Sequence, residues 1–190
     1  MRAVIVGNAP VQEPVGKTID DCDIICRCNT FEIPGNEHLI GTRTTDWVLR
    51  GHDEALAHID NFDKSELRII YGTWHPSKVV DVVADYPCIH VHDELLQPSV
   101  KWFREQGMDN PKKFPTMGMV IIYLFLKICD PLYLAGFGPS RVSYASRIEN
   151  DEKTWKTPRR NFANHDFVFE RKLINRLVAQ GSIVKLENGV

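Results

Sequence analysis

The sequence predicts an α/β fold, a mostly parallel sheet with helices on both faces, and three observations predict it. Short continuous apolar runs such as Ala3-Val-Ile-Val6 have the form of strands buried on both sides. Between them lie stretches of helical period, clearest where Phe169, Leu173, Ile174, Leu177 and Val178 share one face. Turn residues separate the two kinds of run throughout, and strands alternating with helices imply parallel strands joined by helical crossovers. A length of 190 residues with 43% apolar and 25% charged residues suits one well-packed domain over residues 1–190. The net charge of -2 excludes a general nucleic-acid binder, whose surface would carry a basic excess.

Taken in order, Ala3-Val-Ile-Val6 closes on Gly7-Asn8-Ala9-Pro10, a strand running into a tight turn. A glycine there admits a close backbone approach, and the Asn8 amide both donates and accepts. After a polar linker, residues 23–29 read as a second strand, which again ends in an asparagine, Asn29. Parallel strands would bring both amides to one carboxyl edge, where open α/β sheets bind ligands. A third strand is expected around Trp47-Val-Leu49, then a helix over 53–62, a strand over 67–71, a helix over 76–84 and a strand over 88–91. Pro98 is read as opening a helix that runs to Gln106 and stops at Gly107.

The stretch from Phe114 to Pro139 is the densest in signals. Thr116 is placed to cap a core helix running to about Cys129, and Gly118 lets its first turn come close to a ligand. Such a helix end suits an anion. A capped core helix with no ligand accounts for the same residues, and both readings stand. Pro131 breaks the helix, and a short apolar strand ends in Gly136-Phe137-Gly138. The apolar run is too short and interrupted to span a membrane, where about 20 consecutive apolar residues are needed. A long polar stretch over 140–164, with Arg147, Lys153, Lys156, Arg159 and Arg160, is expected to be a lid over a phosphate or carboxylate, or else a solvated loop. The helix starting near Asp166 is stopped by Gly181, and residues 183–186 make a last strand.

Metal signals are weak. Asp21-x-Asp23 precedes its strand instead of ending it, and His90-x-His92 has no obvious third ligand, so no metal site is expected. The five cysteines, Cys22, Cys26, Cys28, Cys88 and Cys129, are odd in number, and Cys26-x-Cys28 is too tight for zinc spacing. They read as buried thiols in a reducing compartment. With no charged leader or long hydrophobic segment near Met1, a cytoplasmic location is expected.

Four segments, in order from Val6 to Glu170, together resemble the sialyltransferases. Val6-Gly7-Asn8, Ile19-Asp20, Arg27-Cys28-Asn29 and Gly41-Thr42-Arg43-Thr44 look like that family's long motif. Pro115-Thr116-Met117-Gly118 through Cys129-Asp130 to Gly136-Phe137-Gly138 is similar to the short motif. Ser143-Tyr144-Ala145 takes the place of the third motif, and His165 with Glu170 matches the very short one. The long, short and His-Glu motifs look like the animal-type enzymes of glycosyltransferase family 29. Ser-Tyr-Ala and the Arg-Cys-Asn strand end look like the bacterial enzymes of family 42. The animal enzymes join the starts of their two large motifs by a disulfide; here Cys129 is present but Ala3 stands where its partner would be, so that bridge cannot form.

The resemblance implies a Rossmann-like, GT-A-like variant fold and an inverting transfer of sialic acid from CMP-sialic acid to a glycan or glycolipid hydroxyl, without a metal or other cofactor. It implies His165 as general base, since an ordinary imidazole titrates at about 6.5, with Glu170 orienting it, stabilising its charged form or capping the helix. Tyr144 is implied to help the phosphate depart. Gly7, Asn8, Ala9, Asn29, Thr116, Met117, Gly118, Gly136, Phe137 and Gly138 are implied to line the donor site. Two alternatives share the architecture: transfer of another CMP-activated keto sugar such as Kdo, and a CMP-binding module without activity, against which the retained Tyr144 and His165 weigh.

Overall fold

The computed structural model describes residues 1–29, 31–49, 65, 67–72, 86–90, 93–137 and 165–187; for 49, 69–72, 88–90 and 93–95 it describes the backbone alone. The described strands are β1 (Ala3–Val6), β2 (Ile24–Cys28), β3 (Asp46–Leu49), β4 (Ile69–Gly72), β5 (Cys88–His90), β6 (Leu132–Ala135) and β7 (Ile183–Lys185). They form one seven-stranded sheet in the order β5-β4-β3-β2-β1-β6-β7, parallel at every pairing. The expected α/β class with a parallel sheet is what the chain adopts. The helices are α1 (Gly16–Asp20), α2 (Glu37–Ile40), α3 (Asp93–Glu105), α4 (Met117–Phe125) and α5 (Phe167–Ala179).

Alternation along the central strands divides the core in two. Ala3 and Ile5 of β1, Ile24, Cys26 and Cys28 of β2, and Leu132 and Leu134 of β6 face one side, against Phe103, the apolar face of α4, and Leu173, Ile174 and Leu177 of α5. Val4, Val6, Ile25 and Ala135 face the other, against Val11, Val15, Ile19 and Ile40. Period 2 in the strands thus gives each face its own helices.

Three readings need correction. The linker expected between the first two strands contains α1. Only Val15 and Ile19 carry its helical spacing, too few to stand out, and it is held by packing on α2, where a Cβ at Gly16 would lie 2.1 Å from the Glu37 carbonyl oxygen. Helix α3 starts at Asp93, so Pro98 lies inside it and not at its head. The bond lost at the Pro98 nitrogen belongs to an early turn, and Ser99 Oγ donates to the Leu96 carbonyl at 2.7 Å nearby. Helix α4 ends at Phe125, before Cys129. Gly107 and Gly181 stop α3 and α5 as expected, at φ of 99° and 78°. In both cases the glycine N–H and the next N–H bond back to earlier carbonyls (Gly107 to Arg104, Met108 to Phe103; Gly181 to Val178, Ser182 to Leu177). The helices expected over 53–62 and 76–84, and the lid expected over 140–164, lie outside the described residues.

Candidate active site

From β1 the chain builds outward through β2, β3, β4 and β5, then returns to lay β6 on the opposite side of β1. That reversal makes a switch point, and the crevice at the carboxyl ends of β1 and β6 is where open α/β sheets take ligands. Two turns meet there. Gly7 N–H donates to the Ala135 carbonyl at 2.8 Å, and Ala9 N–H to the Gly136 carbonyl at 3.0 Å. Gly136 sits at φ 69°, and a Cβ on Gly7 would lie 2.5 Å from its oxygen, so neither position admits a side chain.

The Phe137 ring lies between the two segments read as ligand-facing. A Cβ would meet it at 3.1 Å from Gly7 and at 3.2 Å from Gly118. The fold therefore brings Gly7, Ala9, Gly118, Gly136 and Phe137 together, and the room that Gly118 makes beside its α-carbon is taken by an aromatic ring of the chain itself.

Thr116 caps α4 as the sequence predicts: its Oγ1 accepts from Met119 N–H at 3.3 Å. By helix geometry this leaves the N–H groups of Met117 and Gly118 as the donors pointing out of the first turn. The cap is itself held from α5. Glu170 Oε1 accepts from Thr116 N–H at 2.6 Å, and Oε2 from Thr116 Oγ1 at 3.0 Å. Five residues back, His165 Nδ1 lies 2.9 Å from the Phe114 carbonyl oxygen. A carbonyl only accepts, so Nδ1 carries the proton and a neutral ring presents Nε2 as its basic atom. His165 and Glu170 thus clasp the same short segment, Phe114 to Thr116.

Of the three roles expected for Glu170, capping α5 falls to Asp166, whose carboxylate accepts from Phe169 N–H at 2.9 Å. The Glu170 carboxylate serves the cap of α4 instead. Burial pushes Glu170 up to about 7, against the two bonds from Thr116 that favour its charged form, and Asp166 adds to the rise. An unfolded glutamate loses its proton near 4.5, so the folded chain binds more protons between about 4.5 and 7. Stability is therefore highest below that window and falls as pH rises through it, by on the order of 3 kcal/mol. Glu170→Gln keeps an acceptor for Thr116 N–H and removes the titration. Urea midpoints from pH 5 to pH 8 should fall more steeply for wild type than for Glu170→Gln; parallel profiles would contradict the assignment.

The two asparagines stand at adjacent strand ends. Asn29 is the non-glycine residue at positive φ (54°) among the described residues. Its N–H donates to the Val48 carbonyl, its own carbonyl accepts from Trp47 Nε1 at 2.7 Å, and its side-chain Oδ1 is buried with no hydrogen-bond partner among the described residues. An unmet buried acceptor costs about 1–3 kcal/mol, which a donor from outside the chain would recover.

Other motif residues are scaffold. Arg27, fully buried on β2, donates through Nε to Thr44 Oγ1 (3.0 Å) and the Arg43 carbonyl (3.1 Å), and through Nη2 to the carbonyls of Ile40 (2.8 Å) and Arg43 (2.9 Å). Burial lowers it to about 10. The Asp20 carboxylate accepts from the N–H groups of Thr42 and Arg43. Together they fix the loop from Gly41 to Thr44 and hence the approach to β3. The acidic pair Asp21-x-Asp23 is engaged in other contacts: Asp21 pairs with Lys17 at 2.7 Å and Asp23 accepts from Arg2 N–H at 2.7 Å. Cys26 and Cys28 are buried free thiols, raised by desolvation, Cys28 to about 12. His92, Gly138 and Tyr144 lie outside the described residues.

Glu187 is a residue the sequence reading missed. Its carboxylate accepts from Gly136 N–H at 2.7 Å. A glutamate two residues beyond a short edge strand carries no local signal of this.

Comparison with solved structures gives the class of fold. The whole chain superposes on a mammalian sialyltransferase with a TM-score of 0.67 at 18% identity, covering 69% of that chain. It also superposes on the Campylobacter jejuni sialyltransferase CstII, solved with cytidine-5'-monophosphate, with a TM-score of 0.57 at 16% identity, covering 82% of that chain. In sequence, 97% of the chain aligns at 22% identity with the mouse type 2 lactosamine alpha-2,3-sialyltransferase. It spans 64% of that curated relative's length. The model of glycosyltransferase family 29 (sialyltransferase) matches residues 57–182, well over half the chain, and the protein belongs to that family.

Proposed function

We propose that the protein is an inverting sialyltransferase that moves sialic acid from CMP-sialic acid to a glycan hydroxyl, with His165 as general base. One observation carries the reading beyond family membership. The very short motif grips the head of the short-motif helix through His165 and Glu170, so the candidate base and the outward N–H groups of Met117 and Gly118 form one unit beside the switch point. Such a unit suits the reaction, in which an acceptor oxygen attacks the anomeric carbon while the CMP phosphate leaves with its charge. His165 Nε2 takes the acceptor proton on one side of the sugar. On the other, the N–H groups at the head of α4 receive the phosphate charge, with Tyr144 assisting as the resemblance implies. Asn8 and Asn29, at the ends of β1 and β2, hold the nucleotide, and the unmet Asn29 Oδ1 supports that role. The charge is carried by the chain's own donors, so a metal ion is not required in this scheme.

The buried free thiols Cys22, Cys26, Cys28 and Cys129 support a reducing, cytoplasmic setting for this reaction. Among the described residues no helix is long and apolar enough to cross a membrane.

Calorimetric titration with CMP and UMP, in buffer containing a chelator, tests the donor site. Saturable binding selective for CMP is expected. Preference for the uridine nucleotide, or binding that needs a metal, would refute the reading.

A further inference from the structure

We propose that Glu187 is a positioning residue of the donor site, fixing the Gly136–Phe137 turn so that the Phe137 ring stays between Gly7 and Gly118. The proposal rests on the reading of this crevice as the CMP site. Glu187 follows β7 and lies beyond the residues matched to the family, 57–182. It is carried to the crevice by pairing: Leu186 N–H donates to the Leu134 carbonyl, the bond that closes the last β6–β7 pair, Leu134 with Lys185.

The turn it reaches is held from two sides. Gly136 N–H donates to Glu187 Oε1, and the Gly136 carbonyl accepts from Ala9 N–H. The peptide in between sits at a φ of 69° and packs its oxygen against Gly7. The next backbone N–H, that of Phe137, also favours the charged form of this carboxylate. When its acceptor is ionised, a hydrogen bond of this kind is about twice as strong as a neutral one. The side chain just past them is the half-buried ring that separates the β1 turn from the first turn of α4. Where that ring stands sets the distance between the two segments that would close on a nucleotide. Burial raises Glu187 above the usual carboxylate range, against the N–H groups of the turn; Glu13 adds to the rise and Lys185 opposes it.

Among the described residues Glu187 bonds to none of the groups proposed for the chemistry, so its loss should weaken donor binding and leave the proton transfer at His165 alone. For Glu187→Ala we expect amide exchange at Gly136 and Phe137 to quicken by about tenfold or more. CMP dissociation constants and donor KM should rise by about tenfold with kcat within about twofold of wild type. Glu187→Gln keeps an oxygen for Gly136 N–H and should restore most of the affinity. Undiminished CMP binding and KM in Glu187→Ala, with wild type binding CMP, would overturn the proposal alone. So would a fall in kcat with KM unchanged, and so would failure of the Gln variant to rescue. Absence of CMP binding in the wild-type protein would overturn the donor-site reading, and the proposal with it; the exchange measurement would still report whether the contact orders the turn.

Discussion

His165→Asn is expected to lower kcat for sialyl transfer by about 10²–10⁴-fold while CMP binding stays within a few-fold of wild type. Asparagine is the discriminating substitution because the contact that the structure shows for His165 and the proton transfer proposed for it are separable. Its Nδ1 donates to the Phe114 carbonyl, and a side-chain amide at the same position can make that bond. No amide can accept a proton near neutral pH as Nε2 can. If the residue serves only to hold the segment before α4, Asn should rescue what Ala loses, and both variants should differ mainly in stability. If it is the base, Asn and Ala should fail alike in turnover. The wild-type kcat/KM should also rise with pH across the range where an ordinary imidazole loses its proton, about 6.5. Glu170 titrates in the same range, so the profile needs to be repeated on Glu170→Gln. A limb that persists there belongs to the imidazole; one that vanishes belongs to Glu170.

The middle of the sheet was legible in the sequence because β1 and β2 are buried on both faces. Ala3–Val6 stands out as an apolar run, and the long helix near the end stands out by its period. What stayed hidden depends on contacts between distant segments. Helix α1 has five residues and is stable because Gly16 lets it lie on α2, a fact about residue 37 as much as about residue 16. The start of α3 was misread because proline usually heads a helix and here does not.

The candidate site follows the same division. Its positions could be marked by motif, but motif residues that approach a ligand and motif residues that hold the approach look alike in one dimension. Arg27 and Asn29 are neighbours in the same three-residue signature. Each keeps one buried polar atom unmet, but Arg27 commits Nε and Nη2 to carbonyls and a hydroxyl of a loop, while Asn29 stands at a strand end with its side-chain oxygen unbonded. Gly118, read as room for a ligand, makes room for Phe137. Glu187 belongs to no motif, and only the pairing of β7 on β6 reveals what it touches.

Arg27→Met should destabilise the protein by about 3 kcal/mol, and two opposed effects decide the number. Against the substitution stands the loss of donors to the Ile40 and Arg43 carbonyls and to the Thr44 hydroxyl. Hydrogen bonds to a charged group contribute about 1.5–3 kcal/mol each, and acceptors left unmet in the interior cost about 1–3 kcal/mol. In its favour stands the removal of a cation from a fully buried place, where Arg27 Nη1 has no hydrogen-bond partner among the described residues, though the centre of the Phe31 ring lies 5.3 Å from the guanidinium carbon. Arg27 has no ion pair within bonding reach among the described contacts; Asp20 acts on it only through its field. If burying an unpaired cation were the larger effect, methionine would stabilise the fold, as apolar replacements of buried ion pairs sometimes do. The loss of donors should win because the loop from Gly41 to Thr44 has no apolar side chain to take up the vacated contact, and its carbonyls would remain facing the core. Arg27→Lys should recover little, since one ammonium cannot span acceptors arranged for a planar fork. Urea unfolding of the two variants decides it: a midpoint well below wild type for both supports the bracing role, while a raised midpoint for Met would mean that the strand carries its arginine at a net cost.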